Sequence, residues 1–273
     1  MTKQHRILVT NDDGIHAPGL AVAEKIARSI SDDVWVVAPE TEQSGASHSL
    51  TLTQPLRLRE IAPQRFALSG TPTDCVMMGL AQIMAGKKPT LVLSGVNRGS
   101  NIADDVTYSG TIAGAMEGTA LGIPSIALSQ AYGFESGDPL HWDCAEKHGP
   151  DVVRKLLDIG WPEETLININ FPDCAPEKIG GIVVTEQGKR DMQTAVMDKR
   201  VDMRGNPYFW IGFKRVRSDP REGTDLAAIY GRKISITPLH LNLTEFKVLE
   251  EMREKFTLPL WEGPNAKRSG EGE

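Results

Sequence analysis

Two short apolar runs near the start of the chain constrain its fold more than any other feature. The runs Arg6–Thr10 and Val34–Ala38 are mostly apolar, and the segment between them carries apolar residues at helical spacing after Pro18. Strands without polar alternation are typical of a parallel sheet covered by helices on both faces. The pattern therefore predicts the α/β class: a doubly wound, Rossmann-like, mostly parallel sheet flanked by helices.

The next hundred residues continue this alternation of strands and helices. Strands are predicted at 51–60, 65–69, 90–94, 125–128 and 166–171, and helices at 73–85, 110–121 and 141–157. The polar stretch from Gly95 to Ser109 is predicted to be a loop. Glycines recur at every fourth position from Gly110 to Gly122, which predicts close packing of that helix against a neighbour.

The character of the sequence changes after residue 185. Residues 186–231 are rich in charged residues and glycine, yet they contain the apolar run Tyr208–Phe213. Because a strand alternates its faces, this run would be apolar on both sides. A protruding C-terminal β-hairpin arm packed on another subunit would cover both faces; cover by the chain itself is the alternative. We predict a core at 1–185, an arm at 186–231, a returning strand and C-terminal helix at 232–262, and a disordered tail at 263–273.

Composition excludes several classes of function. The formal net charge is -6 and the pI is about 5.6, which disfavours a nucleic-acid partner or an anionic membrane surface. The three cysteines show neither a disulfide framework nor zinc spacing, and no apolar stretch reaches the length of a membrane span. We therefore expect a cytoplasmic protein without a membrane anchor.

Polar residues follow three of the predicted strands at the points where those strands end. Asp12 and Asp13 follow the first strand, Gln43–Gly45 lies after the second, and Ser94–Asn101 lies at the end of the third. In open parallel sheets, ligands bind at the carboxyl ends of strands. If the loops converge, they offer two carboxylates, a hydroxyl and amide oxygens, which suits Mg²⁺ or Mn²⁺ rather than structural zinc.

The adjacent aspartates are the sharpest of these features. Two carboxylates held ~4 Å apart repel each other by ~4 kcal/mol at an effective dielectric constant near 20, and a bound cation would offset that repulsion. The alternative is structural: one aspartate caps the following helix while the other is solvated. Asp12 and Asp13 are therefore candidates both for metal binding and for catalysis.

A second candidate feature is the sequence Tyr108–Thr111 at the start of the 110–121 helix. The unpaired N–H groups and the positive dipole end of a helix bind phosphate, although Ser109 could be a plain N-cap. His16 could line the site and His48 could carry a proton, but a loop histidine often faces solvent. Cys75 is predicted to lie in the core, and no nucleophile elbow supports a serine hydrolase.

The motifs just described are similar to those of the SurE family of survival-protein nucleotidases. The matching segments run in chain order: Ile7–Gly14, Ala17–Leu20, Val37–Pro39, Gln43–Gly45, Ser69–Val76, Ser94–Asn101, Tyr108–Thr111, Thr224–Asp225 and Ser235–Leu239. The matches extend over nearly the whole chain, without a departure at any motif position, so the resemblance is specific.

This resemblance implies a metal-dependent 5′-nucleotidase that hydrolyses nucleoside 5′- and 3′-monophosphates, with some activity on short polyphosphate. It implies one divalent cation per subunit, Mg²⁺ or Mn²⁺. The implied metal ligands are Asp12, Asp13, Ser44 and Asn97, and the implied phosphate-site residues are Asn101, Ser109, Gly110 and Thr111. It also implies a homodimer through exchanged C-terminal hairpins, with dimers that can pair into tetramers, which agrees with the arm expected from the aromatic run.

The reaction itself is predicted only in outline. One of the two aspartates accepts the proton of an attacking water whose pKa a cation lowers, or Asp12 attacks phosphorus directly; the absence of an Asp-x-Asp motif favours water. The rival hypothesis is a non-catalytic nucleotide-binding stress protein that uses the same helix terminus. A glycosidase is disfavoured because adjacent carboxylates are poorly suited to flanking one glycosidic bond.

Overall fold

The computed structural model describes residues 5–133, 141–190, 194–214 and 218–256. Its strands are β1 (Arg6–Thr10), β2 (Asp33–Pro39), β3 (Leu58–Ala62), β4 (Arg65–Leu68), β5 (Leu91–Arg98), β6 (Ser125–Gln130), β7 (Thr165–Phe171), β8 (Ile182–Val184), β9 (Thr194–Val201), β10 (Pro207–Lys214) and β11 (Ile234–His240). Its α-helices are α1 (Pro18–Arg28), α2 (Pro72–Met78), α3 (Gly110–Ala120), α4 (Asp143–Ile159), α5 (Asp225–Tyr230) and α6 (Phe246–Lys255).

Nine of the described strands form one sheet in the order β3-β4-β2-β1-β5-β6-β7-β11-β8. All neighbours from β4 to β7 are parallel, whereas β3 pairs antiparallel with β4 and β11 pairs antiparallel with β7. The chain builds outward from β1 to one side and then, from β5, to the other. The predicted doubly wound α/β fold is confirmed, and its topological switch point lies between β1 and β5.

Helices cover the two faces of the sheet. Ile7 and Val9 on β1 belong to a buried cluster with Leu20 of α1 and Val153 of α4. Leu8, which points the opposite way, belongs to a second cluster with residues of α2. The absence of polar alternation in β1 thus follows from burial on both faces, as the sequence pattern predicts.

Helix α3 packs against the sheet through its glycines. A Cβ atom added at Gly114 would lie 2.7 Å from Ser94 Oγ, and one at Gly118 would lie 2.9 Å from the Val92 side chain. Gly110 makes a similar approach to Asp12, but a Cβ at Gly122 would meet nothing within 4 Å. The predicted close packing is therefore confirmed for three of the four glycines, whereas Gly122, at φ +78°, belongs to the turn after the helix.

Several predicted element boundaries are wrong. Residues 51–57 form no strand, and α2 ends at Met78, where a π-helical turn, Gly79–Ile83, takes over. Strand β5 continues to Arg98 through residues predicted to be a loop. After a bulge it resumes its pairing with β6, so backbone hydrogen bonds extend a strand whose polar sequence suggested a turn.

Strands β9 and β10 form a separate antiparallel hairpin within the predicted arm range. Its side chains Tyr208, Phe209, Trp210 and Ile211 are all exposed, so the described part of the chain does not cover them, contrary to the alternative of cover by the chain itself. Helix α5, further along the same range, has Leu226 and other side chains buried in a core cluster. The exposed part of the range is therefore the hairpin itself.

The last part of the chain is separate in its packing. The chain divides into one compact unit, 1–241, and a smaller unit, 242–273, in which α6 is described and has no buried residue. The tail predicted at 263–273 lies outside the described residues. No helix within the described ranges combines the length and the apolar character that crossing a membrane requires.

Candidate functional site

The carboxyl ends of β1, β2 and β5 meet at the switch point, and hydrogen bonds tie their loops together. The backbone N–H of Gln43, after β2, donates to the backbone carbonyl of Asp12 over 2.7 Å. The backbone N–H of Arg98, at the end of β5, donates to Asp13 Oδ2 over 3.2 Å. The three strand-end loops predicted to converge therefore do so around the two aspartates.

The amino end of α3 approaches the same point. Thr111 Oγ1 donates a hydrogen bond of 2.6 Å to Asp12 Oδ1, and both residues are buried. A Cβ at Gly110 would lie 2.8 Å from Asp12 Cβ and 3.0 Å from Asp12 Oδ2, so this approach requires glycine. The paired carboxylates therefore lie directly against a helix terminus whose N–H groups favour anions.

Burial determines the electrostatics of the pair. Asp12 is 4% exposed. Burial raises the pKa of Asp12 from 3.8 to about 6; the Thr111 hydrogen bond opposes this shift and the charge of Asp13 adds to it. Burial also raises the pKa of Asp13, against the Arg98 N–H and with the negative charge of Glu42. Helix α1 has Ala17 as its N-cap without a side-chain cap, so the structural alternative of an aspartate cap is wrong.

The donor set at the strand ends fits a hard divalent cation. Two partly desolvated carboxylates lie at one point, and the buried Asn11 Oδ1 beside them has no hydrogen-bond partner in the described part of the chain. Among the described residues, no three His, Cys, Asp or Glu side chains cluster to hold a metal. A cation here would therefore draw its remaining ligands from neutral oxygens, which is typical of Mg²⁺ and Mn²⁺ and not of zinc.

The two other predicted metal ligands make hydrogen bonds within their own loops. Ser44 is exposed, and its hydroxyl donates to Glu42 Oε1 over 2.9 Å. Asn97 is half-buried, and its Nδ2 donates to the Gly99 carbonyl over 2.9 Å. Both residues lie on the loops tied to the aspartates, and their role as metal ligands stays a prediction.

The predicted phosphate-site residues divide into three environments. Ser109 Oγ accepts the Ile112 N–H over 3.1 Å and so caps α3, as the plain-cap alternative requires, while its hydroxyl hydrogen remains a donor. Asn101 donates through Nδ2 to the Ser129 hydroxyl over 2.9 Å. Thr111 donates to Asp12. A role in binding phosphate stays a prediction for all of them, including Gly110.

The remaining candidates lie outside this constellation. His16 is exposed. His48 Nε2 lies 2.9 Å from Glu117 Oε2 on α3, in an ion pair when the ring is protonated. Cys75 is fully buried, which confirms its place in the core.

The sequence analysis missed several residues beside the site. Glu42 acts electrostatically on Asp13, and its position two residues before Ser44 was the available signal. Asn168 and Asn170 are fully buried on β7 and bind the backbone of Asn101. Their signal was the alternation of Asn and Ile near the end of an otherwise apolar strand, which places both amides on one face.

The fold and the site together define a doubly wound α/β protein that presents paired carboxylates beside a helix amino terminus, an arrangement suited to phosphate chemistry. Comparison with known proteins agrees. The family model described as "Survival protein SurE" matches residues 7–194. The chain belongs to the SurE family.

Curated relatives and a solved structure extend this similarity over most of the chain. The chain is 59% identical over 253 residues to the 5′-nucleotidase SurE of Parvibaculum lavamentivorans, covering 93% of this chain and 91% of that protein. It is 61% identical over 250 residues to the 5′-nucleotidase SurE of Rhodopseudomonas palustris strain BisA53, covering 91% and 98%. The crystal structure of the SurE protein from Aquifex aeolicus aligns with a TM-score of 0.79 at 42% identity, covering 92% of this chain and 99% of that one.

Proposed function

We propose that this protein is a divalent-metal-dependent 5′-nucleotidase that hydrolyses nucleoside 5′- and 3′-monophosphates, with short polyphosphate as a further substrate. The names of the similar proteins support the reaction class. The single observation that carries the proposal is the 2.6 Å hydrogen bond from Thr111 to Asp12, which brings a helix terminus and a pair of carboxylates to one point. Phosphoryl transfer depends mainly on such positioning and charge neutralisation.

In this proposal, one set of residues binds the metal and another binds the phosphate. Asp12 and Asp13, with oxygens of Ser44 and Asn97, would hold Mg²⁺ or Mn²⁺. When bound there, the cation would supply neutralisation of phosphate charge and a lowered pKa for the attacking water. The N–H groups around Ser109 to Thr111 hold phosphate oxygens, because the first turn of α3 lacks intrahelical partners for them.

Proton transfer falls to the same aspartates. Asp12 or Asp13 accepts the proton of the attacking water, and the hydrogen bond between Asp12 and Thr111 at the α3 terminus supports this role. Since the first strand ends in Asn-Asp-Asp and not Asp-x-Asp, water rather than an aspartate is the favoured nucleophile. Attack by water breaks the bond between phosphorus and the nucleoside oxygen, which takes back the proton held by the aspartate and leaves as a hydroxyl group. The product phosphate would leave from the helix terminus that bound it.

The finer features of the proposal concern assembly and location. We infer a homodimer formed through the exposed β9–β10 hairpin, with dimers able to pair into tetramers, since four consecutive apolar side chains there are exposed. The four-part division at 185, 231 and 262 is retained as a proposal. The three cysteines show no disulfide framework in their spacing, which supports a reducing, cytoplasmic location.

The test compares wild type with Asp12→Asn on p-nitrophenyl phosphate and a nucleoside monophosphate panel. Wild type should lose hydrolysis in chelator and regain it with Mg²⁺ or Mn²⁺, whereas Asp12→Asn should lose about 10³-fold in kcat at saturating metal, because removing a charged catalytic group costs several kcal/mol. Asp32→Asn, at an exposed turn, is the matched control and should behave as wild type. Full turnover by Asp12→Asn would refute the proposal. Nucleotide binding by wild type without hydrolysis in any metal would favour the non-catalytic rival.

A further inference from the structure

The loop between β5 and α3 is held by buried side chains whose role the reaction outline does not include. The Asn101 N–H donates to Asn170 Oδ1 over 2.8 Å, and the Asn101 carbonyl accepts from Asn168 Nδ2 over 2.8 Å and from Asn170 Nδ2 over 3.1 Å. Both amides are fully buried on β7. One side of residues 101–105, which we name the clamped segment, is therefore fixed to the sheet.

The other side of the clamped segment is fixed by Asp225. Asp225 Oδ2 accepts the Ala103 N–H over 2.9 Å, and Gln187 Nε2 donates to the Ala103 carbonyl over 3.0 Å. Ala103 has φ +52°, in the left-handed region that residues with a Cβ rarely adopt. Hydrogen bonds on both of its peptide groups hold this backbone in place, and the carboxylate that supplies one of them is fully buried.

The same carboxylate also binds the chain that leads into the hairpin. Asp225 Oδ1 accepts the Gly188 N–H over 2.8 Å and the Leu226 N–H over 2.7 Å. Arg190 adds an ion pair of 2.7 Å to Asp105, and its N–H donates to Asp104 Oδ2. Residues 186–190, the hairpin root, are thus joined to the clamped segment through the buried Asp225, the Gln187 hydrogen bond and the two Arg190 contacts.

We propose that Asp225 is a positioning residue for the nucleotidase reaction. It fixes the clamped segment between β7 and the hairpin root, and so sets the position of Asn101 and of the chain that enters α3 at Ser109. This inference rests on the proposed function, since it assigns Asp225 an effect on the phosphate seat. Asp225 touches neither Asp12 nor Asp13 in any hydrogen bond described, so it acts through the loop.

The test is Asp225→Asn in the full-length protein. Two N–H donors meet Oδ1 and one meets Oδ2, so the asparagine oxygen should stay with Gly188 and Leu226, and its NH₂ would oppose the Ala103 N–H. The bond to the clamped segment is the one lost. The expected result is a KM for nucleoside monophosphate raised about tenfold, with kcat changed less than about twofold, because the phosphate seat binds ground state and transition state alike.

Hydrogen–deuterium exchange separates a local change in the clamped segment from general destabilisation, and the rise of KM without loss of kcat is the result that a merely structural role would not give. Amides of the clamped segment should exchange faster in Asp225→Asn, while those of β1 stay as in wild type. Asp202→Asn, the same substitution at the exposed hairpin turn where the carboxylate accepts the Arg204 and Asn206 N–H groups, is the control and should leave KM unchanged. Gln187→Ala removes the exposed side chain that binds the Ala103 carbonyl and should also raise KM. This variant replaces Asp225→Asn in the test if Asp225→Asn does not fold.

The outcomes separate this inference from the proposed function. An unchanged KM in Asp225→Asn and Gln187→Ala, with active wild type and inactive Asp12→Asn, would overturn the positioning role and leave the nucleotidase intact. A loss of kcat in step with faster exchange throughout the core would also overturn it, because it would mark general destabilisation. An inactive wild type would instead refute the proposed function.

Discussion

Asp12 is a buried acid whose position conflicts with its charge when no cation is present. Its carboxylate keeps one strong hydrogen bond, from Thr111, yet burial dominates and the pKa rises to about 6. A protein that held this group for stability alone would gain nothing from it at neutral pH. A bound cation would offset the cost of burying this charge. The burial that disfavours the charged form of Asp12 without metal would therefore also favour metal binding.

The pH dependence of stability follows from that shift. Because the folded pKa of Asp12 lies above its unfolded value, the native state binds more protons between about pH 4 and 6, and stability falls as pH rises through that window. The shift from 3.8 to about 6 corresponds to a loss on the order of 3 kcal/mol at pH 7. In chelator, urea unfolding at pH 4.5 and 7 should show about 2 kcal/mol of this loss for wild type, because the rest occurs below pH 4.5, and a smaller loss for Asp12→Asn.

Divalent metal provides the internal check on this prediction. Mg²⁺ or Mn²⁺ added at pH 7 should restore stability to wild type, since a ligand that binds only the folded state stabilises it, and should have little effect on Asp12→Asn. The variant Asp32→Asn should follow wild type under all conditions. Equal pH profiles for wild type and Asp12→Asn would contradict the burial argument.

At the scale of single residues, the sequence predicts the charged residues of the site better than the residues that hold them and their loops in place. Asp12 and Asp13 stand out because two adjacent carboxylates after an apolar strand have few structural uses. Thr111 is predicted to line the phosphate site, which stays a prediction, and the sequence did not show that its hydroxyl would also bind Asp12. Asn168, Asn170 and Asp225 act on the backbone of a loop distant in sequence, and no local pattern shows which loop a buried amide will meet.

At the scale of elements, α3 joins the site to the sheet. Its terminus meets Asp12, and its next two turns lie on β5 and its neighbours through Gly114 and Gly118. Glycine weakens a helix interior by about 1 kcal/mol relative to alanine, so the close approach outweighs helix propensity here. The four-residue spacing was readable from the sequence, since it keeps the small residues on one side of the helix.

Substitution of one of these glycines should therefore destabilise the protein. In Gly114→Ala, the added Cβ would lie 2.7 Å from Ser94 Oγ and 3.0 Å from Thr10 Cγ2, both on short side chains of core strands. We expect the free energy of unfolding to fall by about 2 kcal/mol in urea titrations. Gly86→Ala, where a Cβ would meet nothing within 4 Å, is the control and should be neutral or slightly stabilising. A Gly114→Ala protein as stable as the control would contradict this packing.

The sequence misplaced element boundaries in two ways, by ending one strand too early and by starting another too early. Strand β5 runs through Gly95 to Arg98 because pairing with β6 resumes after a bulge, and the tertiary hydrogen bonds outweigh the local preference of Gly and Asn for turns. For residues 51–57 the error is the opposite, because a strand is predicted where the structure has none. Leu52 in this segment is 84% exposed and does not pack on the sheet. Strand existence was predictable in the core, but not strand length at the polar ends.

At the scale of the whole molecule, the β9–β10 hairpin differs from the sheet because its apolar side chains are exposed. Phe209 and Ile211 point to one side of β10 and Trp210 to the other, and each is more than half exposed. A two-stranded ribbon is marginally stable by itself in water. Its apolar faces would be covered in the proposed homodimer, where a second copy of this chain would present a matching hairpin.

Removal of the hairpin should change the oligomeric state. A variant in which residues 194–214 are replaced by a short Gly-Ser linker keeps the hairpin root and should be monomeric by light scattering. Ile211→Ser should shift the oligomer towards smaller species, whereas Leu52→Ser, at an exposed aliphatic side chain outside the hairpin, should not. An unchanged mass for the deletion variant would contradict assembly through the hairpin.

The residues that hold the clamped segment lie later in the chain than the site itself, and this order has a consequence for biosynthesis. Every candidate ligand for metal or phosphate lies between Asp12 and Thr111, while the groups that hold the intervening loop come from β7 and, last, from Asp225. A nascent chain emerging from the ribosome thus displays the acidic residues long before the groups that order them. Nucleotide affinity should therefore reach its full value only after Asp225 has been synthesised, because the clamped segment lacks one of its supports until then.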